Sequence, residues 1–170
     1  GGFVLNNWGI ATDPAMSEPA DYSVTLTLDE GWDVASGGVI TGKTAQDGRA
    51  TWTIEAEGAR DLALAFSRRM NACVKTTESG VTIRALASTS LTASAMAEYA
   101  ARIVETYEQW LGDYPYETLD VAETDLLHGM SRSGVLFVPS ALCGLTKRGD
   151  LEEEMSVLCA RQWFGGKVGC

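Results

Sequence analysis

Histidine is nearly absent from this chain of 170 residues, in which His128 is the sole imidazole. Catalytic mechanisms and metal sites that require two imidazoles from one chain are therefore excluded. Long apolar runs are absent as well, since no segment approaches the roughly 18 uninterrupted apolar residues that a membrane-spanning helix needs. The compartment in which the protein works is left unassigned.

Positive charge is also scarce. The chain has 13 Lys and Arg residues against 23 Asp and Glu residues, which gives a formal net charge of -10. Proteins bind nucleic acids and anionic lipid surfaces by neutralising their negative charges with Lys and Arg. We therefore expect no nucleic-acid partner and no membrane contact for this chain.

Cysteine is sparse and widely spaced. Cys73, Cys143, Cys159 and Cys170 form no C-x-x-C pair, which argues against a zinc knuckle or a redox dithiol. We expect buried or free thiols, with a disulfide remaining open as the alternative. The apolar fraction of 45% is typical of a globular protein with a true core.

The first half of the sequence predicts β-strands. Tyr22–Leu28 alternates apolar and polar residues, and Asp47-Gly48 is a strong hairpin signal. The other predicted strands are 39–41, 50–54, 62–66 and 81–86. Short strands at intervals of about ten residues are typical of a β-sandwich, or of the greater part of one.

Near residue 90 the spacing of the apolar residues changes from every second residue to every third or fourth residue. Thr92–Leu111 carries an apolar stripe at helical spacing, and Gly112 stands where a helix stop belongs. Two strands follow at 119–123 and 134–138. A second helix is predicted with Asp150 as its N-cap and with one face formed by Leu151, Met155, Leu158, Cys159 and Gln162.

This order of elements predicts the α+β class. We expect β-sandwich-like strands in a β-rich domain, 1–90, followed by a helix–strand–strand–helix unit in an α+β segment, 91–170.

Three groups of side chains are candidate functional sites by their residue types. Ser131 lies in a segment that resembles a nucleophile elbow, but the second glycine is replaced and His128 shares the same loop, so a solvated turn is favoured. Asp120, Glu123, Asp125 and His128 are residue types that can bind a metal ion. For the acidic residues among them, we favour the simpler interpretation that their side chains are solvated. The five tryptophans are dispersed, and core packing is favoured for Trp52 and Trp110.

Four motifs, in the same order along the chain, resemble the aminopeptidase N family of zinc metallopeptidases in the gluzincin clan. Residues 160–166 (ARQWFGG) are similar to the end of the family's H-E-x-A-H-Q-W-F-G helix. Residues 112–121 (GDYPYETLDV) resemble G-x-Y-P-Y-x-x-L-D-V-V, residues 128–137 resemble G-G-M-E-Y-P-G-L-V-F, and residues 18–26 resemble E-x-A-D-Y-x-V-x-L. The resemblance implies part of the family's N-terminal β-domain followed by the beginning of its thermolysin-like domain.

The residues that carry the family's chemistry are replaced. The two zinc histidines fall on Val157 and Arg161, the general-base glutamate on Leu158, and the glutamate that binds the substrate's amino group on Ser131. The resemblance therefore implies a catalytically inactive member with no catalytic residue, no metal ligand and no cofactor. It also implies that Gly129, Met130, Ser131 and Gly134 form the substrate-binding segment, and that Gly134–Val138 is a sheet edge that holds extended peptides.

For this inactive member we expect a structural, peptide-binding or protein-interaction role. The partner would be a peptide, another protein, or a second copy bound through the helix at 151–164, whose outer face and Trp163 are expected to lie uncovered. The alternative is a fragment or subunit of a functional zinc aminopeptidase whose metal site is completed or replaced outside this chain.

Overall fold

The computed structural model of the protein describes residues 18–144 and 147–167. In the first half the strands are β1 Ala20–Asp29, β2 Trp32–Ser36, β3 Val39–Gln46, β4 Arg49–Ala59, β5 Leu64–Arg68, β6 Asn71–Thr76 and β7 Thr82–Ala87. The second half contains α1 Ser90–Leu111, β8 Thr118–Thr124, β9 Met130–Arg132, β10 Val135–Pro139 and α2 Arg148–Arg161. A 3₁₀ turn, Ser140–Leu142, follows β10, and a π-helical turn, Gln162–Lys167, follows α2. The predicted α+β class is confirmed.

The first sheet has three strands in the order β1-β4-β3. Asp47 and Gly48 both adopt positive φ, at 53° and 74°, and close the β3–β4 hairpin with Gln46 opposite Arg49. A two-residue turn of this kind matches the twist of the strands it joins. The predicted hairpin and the predicted alternation of β1 are both confirmed.

The second sheet has five strands in the order β6-β7-β8-β10-β9, in which β7, β8 and β10 are parallel. One face packs on α1 and α2, which join Ile83, Leu119 and Leu136 in the main core. The opposite face carries Leu86 and Phe137. Because all residues of β10 are buried, that strand has the continuous apolar sequence typical of an interior parallel strand.

A two-stranded sheet of β2 and β5 lies between the other two sheets. Val34 packs with Trp52 and Ile54 of the three-stranded sheet, whereas its neighbour Ala35 packs on the five-stranded sheet. Neighbouring residues of β2 are therefore buried in two different apolar clusters, because successive side chains of a strand point to opposite faces.

The five-stranded sheet crosses the predicted boundary near residue 90. Strand β7 pairs in parallel with β8, placing Arg84 opposite Asp120, so the assignment of the 81–86 strand to a sandwich is wrong. Alternation shows which residues share a face of a strand, but it does not identify the sheet that the strand joins. The division into 1–90 and 91–170 stays a prediction, and a cut at residue 90 would separate two hydrogen-bonded strands.

The first helix ends where the sequence predicts, and it begins at Ser90, two residues before the predicted start. The Thr89 hydroxyl accepts the Thr92 backbone N–H at 3.1 Å, and Gly112 ends the helix with φ of 83°. Trp110 is 72% exposed, so its prediction as a core residue is wrong. It lies in the last turn of α1, where its ring packs on Tyr107 with centroids 6.1 Å apart and the sheet no longer covers it.

The second helix begins at Arg148, not after Asp150, and its N-cap position is Lys147. The prediction of Asp150 as the cap is wrong, because Asp150 lies inside the first turn, where its charge still favours the helix N-terminus. The predicted buried face is confirmed, with Leu151, Met155, Leu158, Cys159 and Gln162 all buried. Among the described helices, none is both long and apolar enough to cross a bilayer.

Candidate functional site

The hairpin formed by β9 and β10 carries the predicted substrate-binding residues, and it is packed closely against α2. A Cβ atom on Gly129 would lie 2.2 Å from Glu154 Oε1 and 2.9 Å from Leu158 Cδ1. Met130 is half-buried and packs with Phe137 on the opposite face of the sheet. Glycine at position 129 therefore allows the chain to approach α2 before β9 begins.

A buried amide, Gln162, joins this hairpin to the end of α2. Its Nε2 donates to Ser131 Oγ at 2.6 Å and to the Arg132 carbonyl at 2.9 Å. Its Oε1 accepts the Gly134 backbone N–H at 3.0 Å and the Tyr114 hydroxyl at 3.2 Å. The side chain is 1% exposed, and both donor hydrogens and both acceptor lone pairs are used.

Ser131 therefore faces the interior. Its hydroxyl is bonded to Gln162, whereas His128 is exposed in the preceding loop, so nothing in this hairpin resembles an activated serine. Ser133 and Gly134 are buried as well, and the prediction of a solvated turn is wrong. The turn is covered because Ser133 donates its backbone N–H to Asp61 Oδ1 at 2.9 Å and Gly134 contacts Gln162.

The three positions on α2 at which the sequence resemblance predicts the residues of a zinc helix divide between two environments. Val157 is 50% exposed and Arg161 is exposed, and their spacing of four places them on one outward face. Leu158 is 1% exposed and lies against Gly129. The outward face presents methyl groups and a guanidinium, neither of which can donate a lone pair to a metal ion.

Aromatic side chains cover the inner face of the π-helical turn. Trp163 packs edge-on against Tyr107 and Tyr114, with ring centroids 5.8 Å and 5.4 Å apart, and its indole N–H donates to the Gly112 carbonyl at 2.9 Å. It is 3% exposed, so the expectation that Trp163 lies uncovered is wrong. Burial raises the pKa of Tyr114 well above its ordinary range and raises the pKa of the nearby Cys159 thiol to about 12.

The acidic residues of β8 and the loop after it serve separate structural roles. Asp120 is 3% exposed and accepts the Ser36 backbone N–H at 2.7 Å and Arg84 Nε at 3.0 Å. Burial raises the pKa of Asp120, although the Arg84 guanidinium opposes that shift. Glu123 accepts the Ser88 backbone N–H at 2.7 Å.

Asp125 lies apart from these two, where it accepts the Ser140 hydroxyl at 3.3 Å. No group of three or more His, Cys, Asp or Glu side chains in residues 18–144 and 147–167 is arranged to hold a metal ion. The three described cysteines, Cys73, Cys143 and Cys159, are free thiols.

The free edge of the sheet lies at a different strand from the one expected. Strand β10 is paired on both sides, with β8 and with β9, so the prediction of an edge at Gly134–Val138 is wrong. The outer strand on this side is β9, Met130–Arg132, which the sequence did not predict because a three-residue strand carries too little alternation. The opposite outer strand is β6, so a peptide that extended this sheet by backbone pairing would pair with β9 or with β6.

Two clefts were missed by sequence reasoning. The first, of about 370 Å³, lies between the three-stranded and five-stranded sheets and includes Lys43, Trp52 and Arg84. The second, of about 380 Å³, lies at the carboxyl ends of β7, β8 and β10 and includes Arg69 and Glu123. Each cleft is built from residues of several strands. The one sequence feature that could have indicated the first cleft is a charged residue on the inner face of an otherwise apolar strand, as at Arg84 and Asp120.

No protein-family model matches the chain, and no curated protein matches it in sequence.

Proposed function

We propose that the chain is a catalytically inactive domain of the aminopeptidase N type, a pseudo-metallopeptidase whose role is protein interaction. The observation that carries this proposal is the chemistry of the outward face of α2. The four motifs place zinc ligands at Val157 and Arg161, and these exposed side chains offer no metal-ligating atom. The position of the general base, Leu158, is buried against Gly129 and cannot accept a proton.

The arrangement of α1, α2 and the five-stranded sheet is compatible with the beginning of a thermolysin-like domain. The inward orientation of Ser131 also supports an inactive domain, because a substrate's amino group would reach its hydroxyl only after Gln162 had moved. Zinc is the cofactor expected for the family, and no described residue of this chain is proposed to hold it.

The test of inactivity uses the purified full chain. Metal content is measured by mass spectrometry after dialysis against buffer containing zinc, and hydrolysis of leucine p-nitroanilide is followed with and without a chelator. We expect substoichiometric zinc and no chelator-sensitive hydrolysis. One equivalent of retained zinc together with chelator-sensitive hydrolysis would overturn the proposal.

The proposed interaction surface is the outer stripe of α2 and the turn that follows it. Its exposed residues on α2 recur at spacings of three and four, so they share one side of the helix. They are Asp150, Glu153, Val157 and Arg161, and Phe164 is exposed in the π-helical turn that follows. Val157 and Phe164 are 50% and 56% exposed, so this surface presents two large apolar side chains.

This stripe is complementary to itself. In an antiparallel pair of α2 helices centred on Val157, Glu153 of one copy lies opposite Arg161 of the second copy, because both are four residues from the centre. A two-fold axis repeats each contact, so one favourable ion pair becomes two. We therefore propose a second copy of this chain as the occupant.

Such a dimer would be weak, since one helix face buries less than the roughly 1,200–2,000 Å² of a standard interface. Sedimentation velocity over a wide concentration range should show reversible dimerisation. Val157→Asp and Arg161→Glu should each shift the midpoint at least tenfold to higher concentration, and adding Glu153→Arg to Arg161→Glu should restore it. Leu91→Asp, at a comparably exposed position in the first turn of α1, is the control and should change nothing.

A monomer at every concentration, or association that ignores both substitutions, would overturn self-association through α2. The inactivity proposal does not depend on that result, because it is tested separately by metal content and hydrolysis.

A further inference from the structure

The cleft between the three-stranded and five-stranded sheets holds a cation that is fixed in position. Arg84 lies on β7, between β6 and β8, and its Nε and Nη2 both donate to the carboxylate of Asp120. Among the described residues, Nη1 has no acceptor, and the side chain is 27% exposed, so this part of the guanidinium is open to the cleft. A guanidinium held in this way loses little side-chain entropy when it binds an anion.

A second cation lies on the other wall. The Lys43 ammonium on β3 lies 5.0 Å from the centroid of the Trp52 ring, and Trp52 itself is 3% exposed. The described residues place no carboxylate within ion-pair distance of Lys43. Its charge is therefore balanced by an aromatic face and by solvent, and it remains available to a ligand.

The rest of the lining is largely apolar. Val39 and Ile40 on β3 and Leu86 on β7 contribute hydrocarbon from both walls. At about 370 Å³ the cleft is within the size range of small-ligand sites, which combine apolar walls with a few placed polar groups. The second cleft, at the carboxyl ends of the parallel strands, has more polar lining, and its Arg68 pairs with Asp29 at 3.7 Å with both side chains more than half exposed.

From these features we propose that the cleft binds a small anionic molecule with an apolar body, its carboxylate held between Arg84 and Lys43 and its body lying on Ile40, Trp52 and Leu86. A single negative charge is preferred over two. Asp33 and Asp120 also line the cleft, and the protein as a whole carries a net charge of -10, so each further negative charge is repelled. The proposal does not depend on the peptidase resemblance.

The probe is a set of indole compounds with one apolar body and different charge. Indole-3-acetate is the anion, tryptamine the cation and indole-3-ethanol the neutral member. Binding to the full chain is measured by calorimetry and by backbone amide shifts in two-dimensional NMR. We expect indole-3-acetate to shift amides of β3 and β7, and to bind at least tenfold more tightly than the other two probes. Its affinity should fall as the salt concentration rises.

Two variants localise the site. Lys43→Met should weaken indole-3-acetate at least tenfold while keeping the hydrocarbon of the lysine stem, and Ile40→Trp should fill the cleft and abolish binding. Lys75→Met is the control, because Lys75 pairs with Glu98 on the helix-covered face of the five-stranded sheet, away from the cleft. Equal affinity for the three probes, unchanged binding by Lys43→Met, or shifts confined to other strands would overturn the proposal.

Discussion

Gly37 and Gly134 lie backbone against backbone, at the point where the loop after β2 meets the turn between β9 and β10. A Cβ atom on Gly134 would lie 2.4 Å from the Gly37 carbonyl oxygen, and a Cβ atom on Gly37 would lie 2.2 Å from the Ser133 carbonyl oxygen. Gly134 also has a φ of 67°, which side-chain-bearing residues rarely adopt. This contact joins the first-half strands to the predicted substrate-binding hairpin.

Gly37→Ala and Gly134→Ala should each lower the free energy of unfolding by about 2–4 kcal/mol, because backbone atoms on both sides cannot move apart cheaply. Urea denaturation of the two variants measures the effect. Gly149→Ala is the control, since a Cβ atom at that position would have no neighbour within 4 Å and alanine favours the first turn of α2. A Gly37→Ala variant as stable as the parent would contradict the close contact.

Replacing the buried amide tests the network at the end of α2. Gln162→Leu should lower the free energy of unfolding by about 2–4 kcal/mol, because Ser131, Gly134 and Tyr114 lose buried hydrogen-bond partners. Gln109→Leu, at an exposed position of α1, is the matched control and should stay within about 0.5 kcal/mol of the parent. Equal stability of the two variants in urea would show that the network contributes nothing.

Introducing on α2 the residues of the zinc helix that the sequence resembles should have unequal costs in stability. Val157→His should leave stability nearly unchanged because the position is half-exposed, whereas Leu158→Glu should cost about 3 kcal/mol because it places a carboxyl group against Gly129 in the core. Thermal and urea unfolding of the two variants provide the comparison. If Leu158→Glu were tolerated as well as Val157→His, the interior position of residue 158 would be in error.

Alkaline conditions should weaken the fold. The pKa of the Cys159 thiol is raised from 9.0 to about 12 by burial, so the folded protein keeps a proton that the unfolded chain loses above pH 9. This contribution to stability is complete below pH 9 and is lost as the pH rises from 9 towards 12, by about 1.4 kcal/mol per pH unit. Tyr114 acts in the same direction.

Urea midpoints measured between pH 7 and pH 11 test this dependence. Cys159→Ala should make the decline shallower, and Cys143→Ala should do the same, because burial raises the pKa of the Cys143 thiol to about 12 as well. A decline that persists unaltered in Cys159→Ala would assign it to other groups.

Local patterns predicted the local structure well. The β3–β4 hairpin follows from Asp47-Gly48, and α1 follows from its apolar stripe with Gly112 at its end, because these signals act within a few residues. The alternation of β7 predicted a strand but not its partner. The pairing of β7 with β8 depends on which faces of the strands and helices are buried together in the fold. That information is spread over the whole chain.

The candidate site was predicted least well, for a related reason. A motif specifies residue types in order, but it does not specify whether a side chain points in or out. Ser131 faces the interior, where its hydroxyl accepts a hydrogen bond from Gln162, thirty-one positions away. Trp163 is covered by tyrosines of α1 and of the loop after it. The cleft that includes Lys43 and Arg84 draws on strands that are distant in sequence, so no local pattern could indicate it.

The parallel pairing of β7 with β8 determines when the sheet can be completed during synthesis. The β6–β7 hairpin leaves the ribosome first, but one edge of β7 must wait for the whole of α1 and then for β8. Ser36 and Gly37 are synthesised earlier still, and they make their contacts only after Asp120 and Gly134 have been synthesised. Pairings between such distant segments form slowly, and unpaired strand edges aggregate while they wait. The nascent chain is therefore most vulnerable to aggregation between the emergence of β7 and that of β8.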